Sequence, residues 1–309
     1  MNEDQIVKPI EISVVQNLIK KYYPDLVSEL ITYKGGGSFS AFTVGQDYIF
    51  RFSKSVNNKD SENAYLAEKE LLDSIRSYVA PHELPTHIKF IQDSEIFSGA
   101  VWVSKQFHGV MLKDLIDPKN NYLIAELLGN FLGKLHSISL EILNKNTFQS
   151  LSTQQLYKNW KQRFLDDKNY YKLLTPDEQI YMDKVHDNFF KVADRMNPRN
   201  CITHGDFDNS NCMMIPNSNH LQVIDCEDMG YGHDAGDFCT WFGAYGEDFL
   251  DAMIENYQLP VDEYFKQRVR FYWLRIPLNY FRYASEQNNL GFIDFGKNML
   301  RENMKKFPN

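Results

Sequence analysis

The stretch Ile202-Thr-His-Gly-Asp-Phe-Asp-Asn-Ser-Asn211 decides how the rest of the chain is read. Asp206 is followed five positions later by Asn211, so a carboxylate and a carboxamide share one short loop. Downstream, His220-Leu-Gln-Val-Ile-Asp225 is an apolar, strand-like run that ends in a second carboxylate. A hairpin closing there delivers another hard oxygen ligand. Mg²⁺ keeps several waters and needs few protein oxygens, so Asn211 and Asp225 suffice as its ligands.

Upstream, Gly35, Gly36, Gly37 and Ser38 separate two β-rich runs, Leu30 to Tyr33 and Phe39 to Val44. Glycine removes the Cβ that would keep backbone N–H groups away from phosphates. A turn at Gly45 to Asp47 leads into the strand Tyr48-Ile-Phe-Arg51-Phe, whose cation has an acidic partner, Glu68, on the helical segment Ser61 to Tyr78. Glycine loop, strand cation, helix glutamate, Asp then Asn, and a final Asp is the order of parts in kinases. There the first Asp orients or deprotonates the attacking hydroxyl and the strand cation holds phosphates. Asp206 is therefore the candidate catalytic base. Gly35, Gly36, Gly37, Ser38, Arg51, Glu68 and Ser104, the last at the connection between lobes, are the candidate site for ATP or GTP.

The fold expected is α+β, protein-kinase-like and bilobal, with a small β-rich lobe over residues 1–105 and a larger, mainly helical lobe over 106–309. An opening helix has Ile12, Val15, Ile19 and Tyr22 on one face, and Ser61 is positioned to cap the next, with a stripe of Tyr65, Leu66, Leu71, Leu72 and Ile75. Helical periodicity resumes over 121–138, 153–174, 176–196 and 262–288. With 43% apolar and 24% charged residues the composition is that of a folded globular chain. A net charge of −8 without basic runs argues against nucleic acid or an anionic membrane as partner and favours cationic ligands. The N-terminus carries acids where a signal peptide has bases, and no stretch has membrane-spanning length, so the cytoplasm is the expected location. Cys201, Cys212, Cys226 and Cys239 show neither disulfide nor zinc spacing.

These residues resemble the phosphotransferase enzyme family of aminoglycoside and choline kinases, through H-G-D-x-x-x-x-N at His204 to Asn211 and I-D at Ile224 and Asp225. Tyr-Pro-Asp at 23 to 25, Leu-His-Ser at 135 to 137 and Gly-Asp-Phe at 236 to 238 support the match. The N-terminal stretch is most similar to the aminoglycoside 2″-phosphotransferase branch, which implies an antibiotic-resistance kinase. Asp225-Cys-Glu227 followed by Gly230 and Asp237 is similar to choline and ethanolamine kinases. Arg51 stands where the family has lysine, which keeps the charge but replaces a compact ammonium with a planar fork. A silent kinase-fold binding module is the reading from a different class that this substitution motivates.

The acceptor site is expected beyond Asp206. Asp208, Glu227, Asp228, Glu247 and Asp248 supply acids there, and Trp241 and Trp273, with Tyr245 and Tyr280, supply aromatics. Carboxylates suit a polyamine sugar and an aromatic cage suits a quaternary ammonium. Both sets are present, and an aminoglycoside-like cationic sugar is the first expectation. His136 and His204 are read as structural rather than catalytic. A monomer is expected, with a dimer as the alternative.

Overall fold

The computed structural model describes residues 10–35, 39–53, 58–80, 83–115, 122–142, 153–215, 218–287 and 289–308. The chain divides into two compact units, Met1–Met111 with Cys212–Glu227, and Leu112–Asn211 with Asp228–Asn309.

In the first unit, α1 (Ile12–Tyr22) precedes the strands β1 (Ile31–Gly35), β2 (Phe39–Val44) and β3 (Tyr48–Ser53), then α2 (Asn58–Ile75), β4 (His87–Asp93) and β5 (Phe97–Lys105). The strands form one antiparallel sheet in the order β1-β2-β3-β5-β4. Alternation divides its two faces. Phe42, Val44, Phe50, Phe52, Val101 and Val103 pack with Val15, Leu18 and Ile19 of α1 in one buried cluster. Each such side chain contributes roughly 1.5–3 kcal/mol by leaving water. Arg51 and its cross-strand partner Trp102 carry the opposite parity. Ile12 does not join the buried stripe; it is exposed, and Leu18 takes its place. Ser61 lies inside α2 instead of capping it, with its hydroxyl 2.9 Å from that of Ser53, and Leu66 is exposed.

The first unit runs on past residue 105 because β6 (Val110–Met111) pairs with a strand from far downstream. The second unit begins with α3 (Leu112–Leu115), α4 (Tyr122–Ser137), α5 (Thr153–Asp167) and α6 (Pro176–Phe190), followed by β7 (Asn200–Thr203). The chain then returns to the first unit as β8 (Cys212–Met214), which pairs with β6, and β9 (Leu221–Val223). β10 (Gly230–His233) pairs antiparallel with β7 in the second unit. The helices α7 (Cys239–Tyr245), α8 (Glu247–Glu255), α9 (Phe265–Gln287) and α10 (Gly291–Lys306) complete it.

Local chemistry explains several boundaries. Thr175 caps α6 by accepting from the Glu178 backbone N–H, and Glu178 accepts from the Thr175 N–H in return, with Pro176 in the first turn. On α4, Gly129 and Gly133 let neighbouring backbone approach closely. A Cβ at either position would lie 2.2 Å from a carbonyl oxygen, that of Met253 or Tyr257 respectively.

That contact sets the sign of a substitution. Glycine to alanine in an open helix interior stabilises by about 0.5–1 kcal/mol, whereas Gly133→Ala is expected to cost about 1–3 kcal/mol by overpacking. Urea denaturation checks this, with a lower midpoint for Gly133→Ala and none of that loss for Lys134→Ala on the exposed side of the same helix.

Candidate active site

The loop after β7 carries the decisive residues, and its backbone is anchored by one buried carboxylate. Asp237 accepts from the N–H of His204 (2.8 Å) and of Gly205 (3.0 Å), and from His136 Nε2 (3.0 Å). His136 Nδ1 is 2.7 Å from the Tyr257 hydroxyl. Burial pushes that phenol well up, so it keeps its proton. Burial alone would raise the Asp237 pKa, but the His136 hydrogen bond, with His204 and its N–H, holds the group below its ordinary 3.8.

Gly205 has a φ of +87°, and a Cβ there would sit 2.5 Å from the Asp228 carbonyl oxygen, so no other residue fits this turn. Phe207 buries its ring against Phe131, stacked at 5.5 Å, while Thr240 donates to the Phe207 carbonyl at 2.6 Å. Asp206, between these two anchors, is exposed. Asn211 Nδ2 donates to both the backbone oxygen and the Oδ2 of Asp206, each at 2.9 Å. Asp208 Oδ1 accepts from the Ser210 N–H and hydroxyl, both at 2.7 Å, and from the Asn211 N–H. The sequence assigned Asp208 to substrate; the structure also gives it the task of shaping the loop.

A cavity of about 1040 Å³ within the second unit is lined by this loop, α5 and α9. Asp206, Asp208, Asp228, Trp241, Tyr245, Trp273 and Tyr280, all named in the sequence as candidates, line it. Trp241 does so while almost fully buried, and the Trp273 indole N–H is held by Asn303 Oδ1 at 2.9 Å. Glu247 and Asp248 lie outside the lining. They begin α8, where acids complement the helix dipole, and Glu247 pairs with Arg270. Glu227 falls in the first unit. Sequence reasoning missed Arg163 of α5 and Arg275 and Arg282 of α9, which also line the cavity.

In the first unit Arg51 Nη2 meets Glu68 Oε1 at 3.0 Å, and the guanidinium lies over the rings of Trp102 (4.8 Å) and Phe39 (5.1 Å). His87, which no sequence signal singled out, donates from Nε2 to the same Glu68 oxygen at 2.8 Å and meets the Ser104 hydroxyl at 2.7 Å. Burial raises the Glu68 pKa less than Arg51 and His87 lower it, so the carboxylate stays charged. Ser104 is thus engaged behind the ion pair. Gly35, at the end of β1, has a φ of +87°; Gly36, Gly37 and Ser38 lie outside the described residues. Asp225, after β9, has a φ of +61°, a left-handed backbone that costs a non-glycine residue roughly 1–2 kcal/mol.

An antiparallel sheet carrying the Arg51–Glu68 pair, in a chain whose helical unit presents H-G-D-x-x-x-x-N, defines the α+β, protein-kinase-like class. The model of the phosphotransferase enzyme family matches residues 29–272, and the chain belongs to that family. It is a kinase, a phosphotransferase with an alcohol group as acceptor. Solved structures share the fold. The GDP and kanamycin complex of APH(2″)-IIia superposes with a TM-score of 0.79 at 17% identity, over 95% of this chain and 99% of that one. The GDP complex of aminoglycoside 2'-phosphotransferase-IIIa gives 0.78 at 18%, over 94% and 98%. Macrolide 2'-phosphotransferase MphH from Brachybacterium faecium, as apoenzyme, gives 0.73 at 16%, over 93% and 98%. No curated protein sequence matches the chain. Among the described residues no helix is long and apolar enough to cross a membrane.

The Asp237 anchor makes acid stability a test of the loop. Its native pKa is depressed, so its contribution is present above the unfolded-state value near 3.8 and is lost as the pH falls through the lower native value. Asp237→Asn is expected to cost about 3–5 kcal/mol at pH 7, as for a broken buried pair. The variant's stability should fall less steeply than wild type between pH 5 and about 3, as read by urea midpoints across that range.

Proposed function

We propose that the protein transfers the γ-phosphoryl of ATP or GTP to a hydroxyl of an amine-bearing, sugar-like small molecule, the reaction type of an aminoglycoside kinase. The observation that carries this reading is Asp206, pinned by Asn211 and exposed on the wall of a 1040 Å³ cavity. Ligand pockets run from about 300 to 1,000 Å³, so the space suits an acceptor of antibiotic size. Asp208 and Asp228 line the same cavity and offer charge-assisted hydrogen bonds to amines. Choline or ethanolamine is the second reading, favoured by the aromatic lining of Trp160, Tyr272 and Tyr280. The volume weighs against so small an acceptor.

In this mechanism Asp206 aligns the acceptor hydroxyl and takes its proton as the new O–P bond forms and the bond to the leaving nucleoside diphosphate breaks. Transfer is direct and in line, without a phosphoenzyme. Asn211 spends its amide N–H groups on Asp206, which turns its carbonyl oxygen away from that carboxylate. Among the described residues that oxygen accepts no hydrogen bond, as a ligand for a hard cation requires. Asn211 and Asp225 are the residues we assign to Mg²⁺, which when bound neutralises phosphate charge. Arg51, held by Glu68, is the proposed phosphate-binding cation, with Gly35, Gly36, Gly37 and Ser38 as the phosphate loop. Ser104 supports the pair through His87.

Asp206→Asn is expected to lower kcat by about 10²–10⁴ while nucleotide affinity stays within a few-fold, read as nucleoside diphosphate release with Mg·ATP and Mg·GTP against aminoglycosides, choline and ethanolamine. A variant with wild-type rates refutes the assigned base. Turnover with choline or ethanolamine alone selects the second reading, and nucleotide binding without turnover on any acceptor indicates a silent module. Arg51→Gln is expected to weaken nucleotide binding about tenfold or more, the loss of one charge-assisted contact, measured by calorimetry.

A further inference from the structure

Acids and arginines both line the cavity. Asp206, Asp208 and Asp228 supply the acids, and the Tyr280 hydroxyl is pushed up first by burial and then by Asp206 and Asp208. The arginines come from α5 and α9, with Trp160 and Arg163 one turn apart on the first and Arg275, Asn279 and Arg282 at helical spacing on the second. The guanidiniums of Arg163 and Arg275 lie 5.5 and 4.6 Å from the ring centre of the same tryptophan, Trp160.

Only part of this positive charge is neutralised within the protein. Arg275 is buried and forms an ion pair with Asp167, itself buried, at 2.7 Å. Arg282 Nε lies 3.6 Å from Glu286 Oε1, a weak contact to a side chain that is 56% exposed. Arg163 is left with a neutral acceptor, Asn279 Oδ1, at 3.2 Å; among the described residues no carboxylate pairs with it. Burial, followed by repulsion from Arg275 and Arg282, pulls the Arg163 pKa down to about 10, against a smaller opposing effect of Asp167, which is already paired with Arg275; the group remains charged at neutral pH. Three guanidiniums on this wall thus share one close carboxylate, that of Asp167. The planar forks suit carboxylate or phosphate oxygens.

We propose that the acceptor carries, besides its amine and its reactive hydroxyl, an anionic group of the carboxylate or phosphate class, which Arg163 and Arg282 hold on the wall of the cavity. The proposal rests on the small-molecule kinase reading and narrows its substrate to zwitterionic amino alcohols and amino sugars. Plain aminoglycosides leave the arginine wall unneutralised. An oxyanion there also fixes the acceptor's direction, since only one orientation brings its hydroxyl to Asp206.

The test uses matched pairs in which one member adds the anion: glucosamine against glucosamine 6-phosphate, and ethanolamine against serine. Calorimetry in the presence of Mg·ADP measures their binding to the full chain, to Arg163→Gln, to Arg282→Gln and to the double variant. Malonate serves as an anion without amine or hydroxyl. The expected result is at least tenfold tighter binding of an anionic member, an advantage lost in the double variant while the thermal midpoint and Mg·ADP affinity are kept. Phosphate against carboxylate preference is read from which pair shows the larger gap. If Arg163→Gln lowers the thermal midpoint through lost contact with Trp160, Arg282→Gln, on a partly exposed side chain, and competition by malonate still report on the subsite. Equal affinity within both pairs, an advantage that survives the double variant, or no binding by any anionic compound overturns the proposal. Nucleotide turnover on the same compounds separates the two readings. Anion binding without turnover on any of these acceptors defeats the amine-bearing acceptor reading alone, and turnover that ignores the anion defeats the subsite alone.

Discussion

A carboxylate removed from water must be solvated by the protein, and the arrangement around Asp237 follows from that requirement. Leaving such a charge without partners costs several kcal/mol, so the chain around it is folded to supply donors. Two of them are consecutive backbone N–H groups of the loop after β7 and the third is an imidazole on α4. Satisfying the charge therefore fixes the direction in which the chain leaves β7. It also demands a glycine where the turn crosses into left-handed space, and it ties His136, through its other nitrogen, to Tyr257. The exposed Asp206 inherits its position from this buried neighbour.

The first unit solves the same problem with the same parts. Glu68, also buried, is joined by a histidine whose other nitrogen meets a hydroxyl, His87 with Ser104, as Asp237 is joined by His136 with Tyr257. The difference lies in the remaining partner. For Asp237 it is backbone, which makes a rigid scaffold, and for Glu68 it is the guanidinium of Arg51, which carries charge to the surface of the sheet. One buried acid positions a loop and the other positions a cation.

The parts of the site that chemistry constrains over short spacing were readable in the sequence. Asp206, Asn211 and Gly205 sit within one decapeptide, and Arg51 and Glu68 fall on adjacent elements whose parity and periodicity indicate which way they face. The strand pattern of β2 and β3 and the major helices were visible for the same reason. What escaped depends on contacts between distant segments. Arg163 meets Asn279 across 116 positions, and neither residue type nor local pattern marks the pair. His87 sits at the start of β4, in a run, HIKFIQD, whose burial alternates irregularly. Glu247 and Asp248 lie outside the cavity lining, and an acid in the first turn of a helix has a local reason to be there. Ser61 has the composition of a cap but found a serine on the neighbouring strand.

The double donation by Asn211 has a consequence for the carboxylate it holds. A carboxylate in water has two interchangeable oxygens, but the amide hydrogen bond at 2.9 Å falls on Oδ2 of Asp206 and makes the pair inequivalent. That hydrogen bond fixes which oxygen of Asp206 turns toward Asn211, so the carboxylate cannot flip without breaking it. An amide thus gives an exposed side chain one orientation among those that rotation about its bonds would allow.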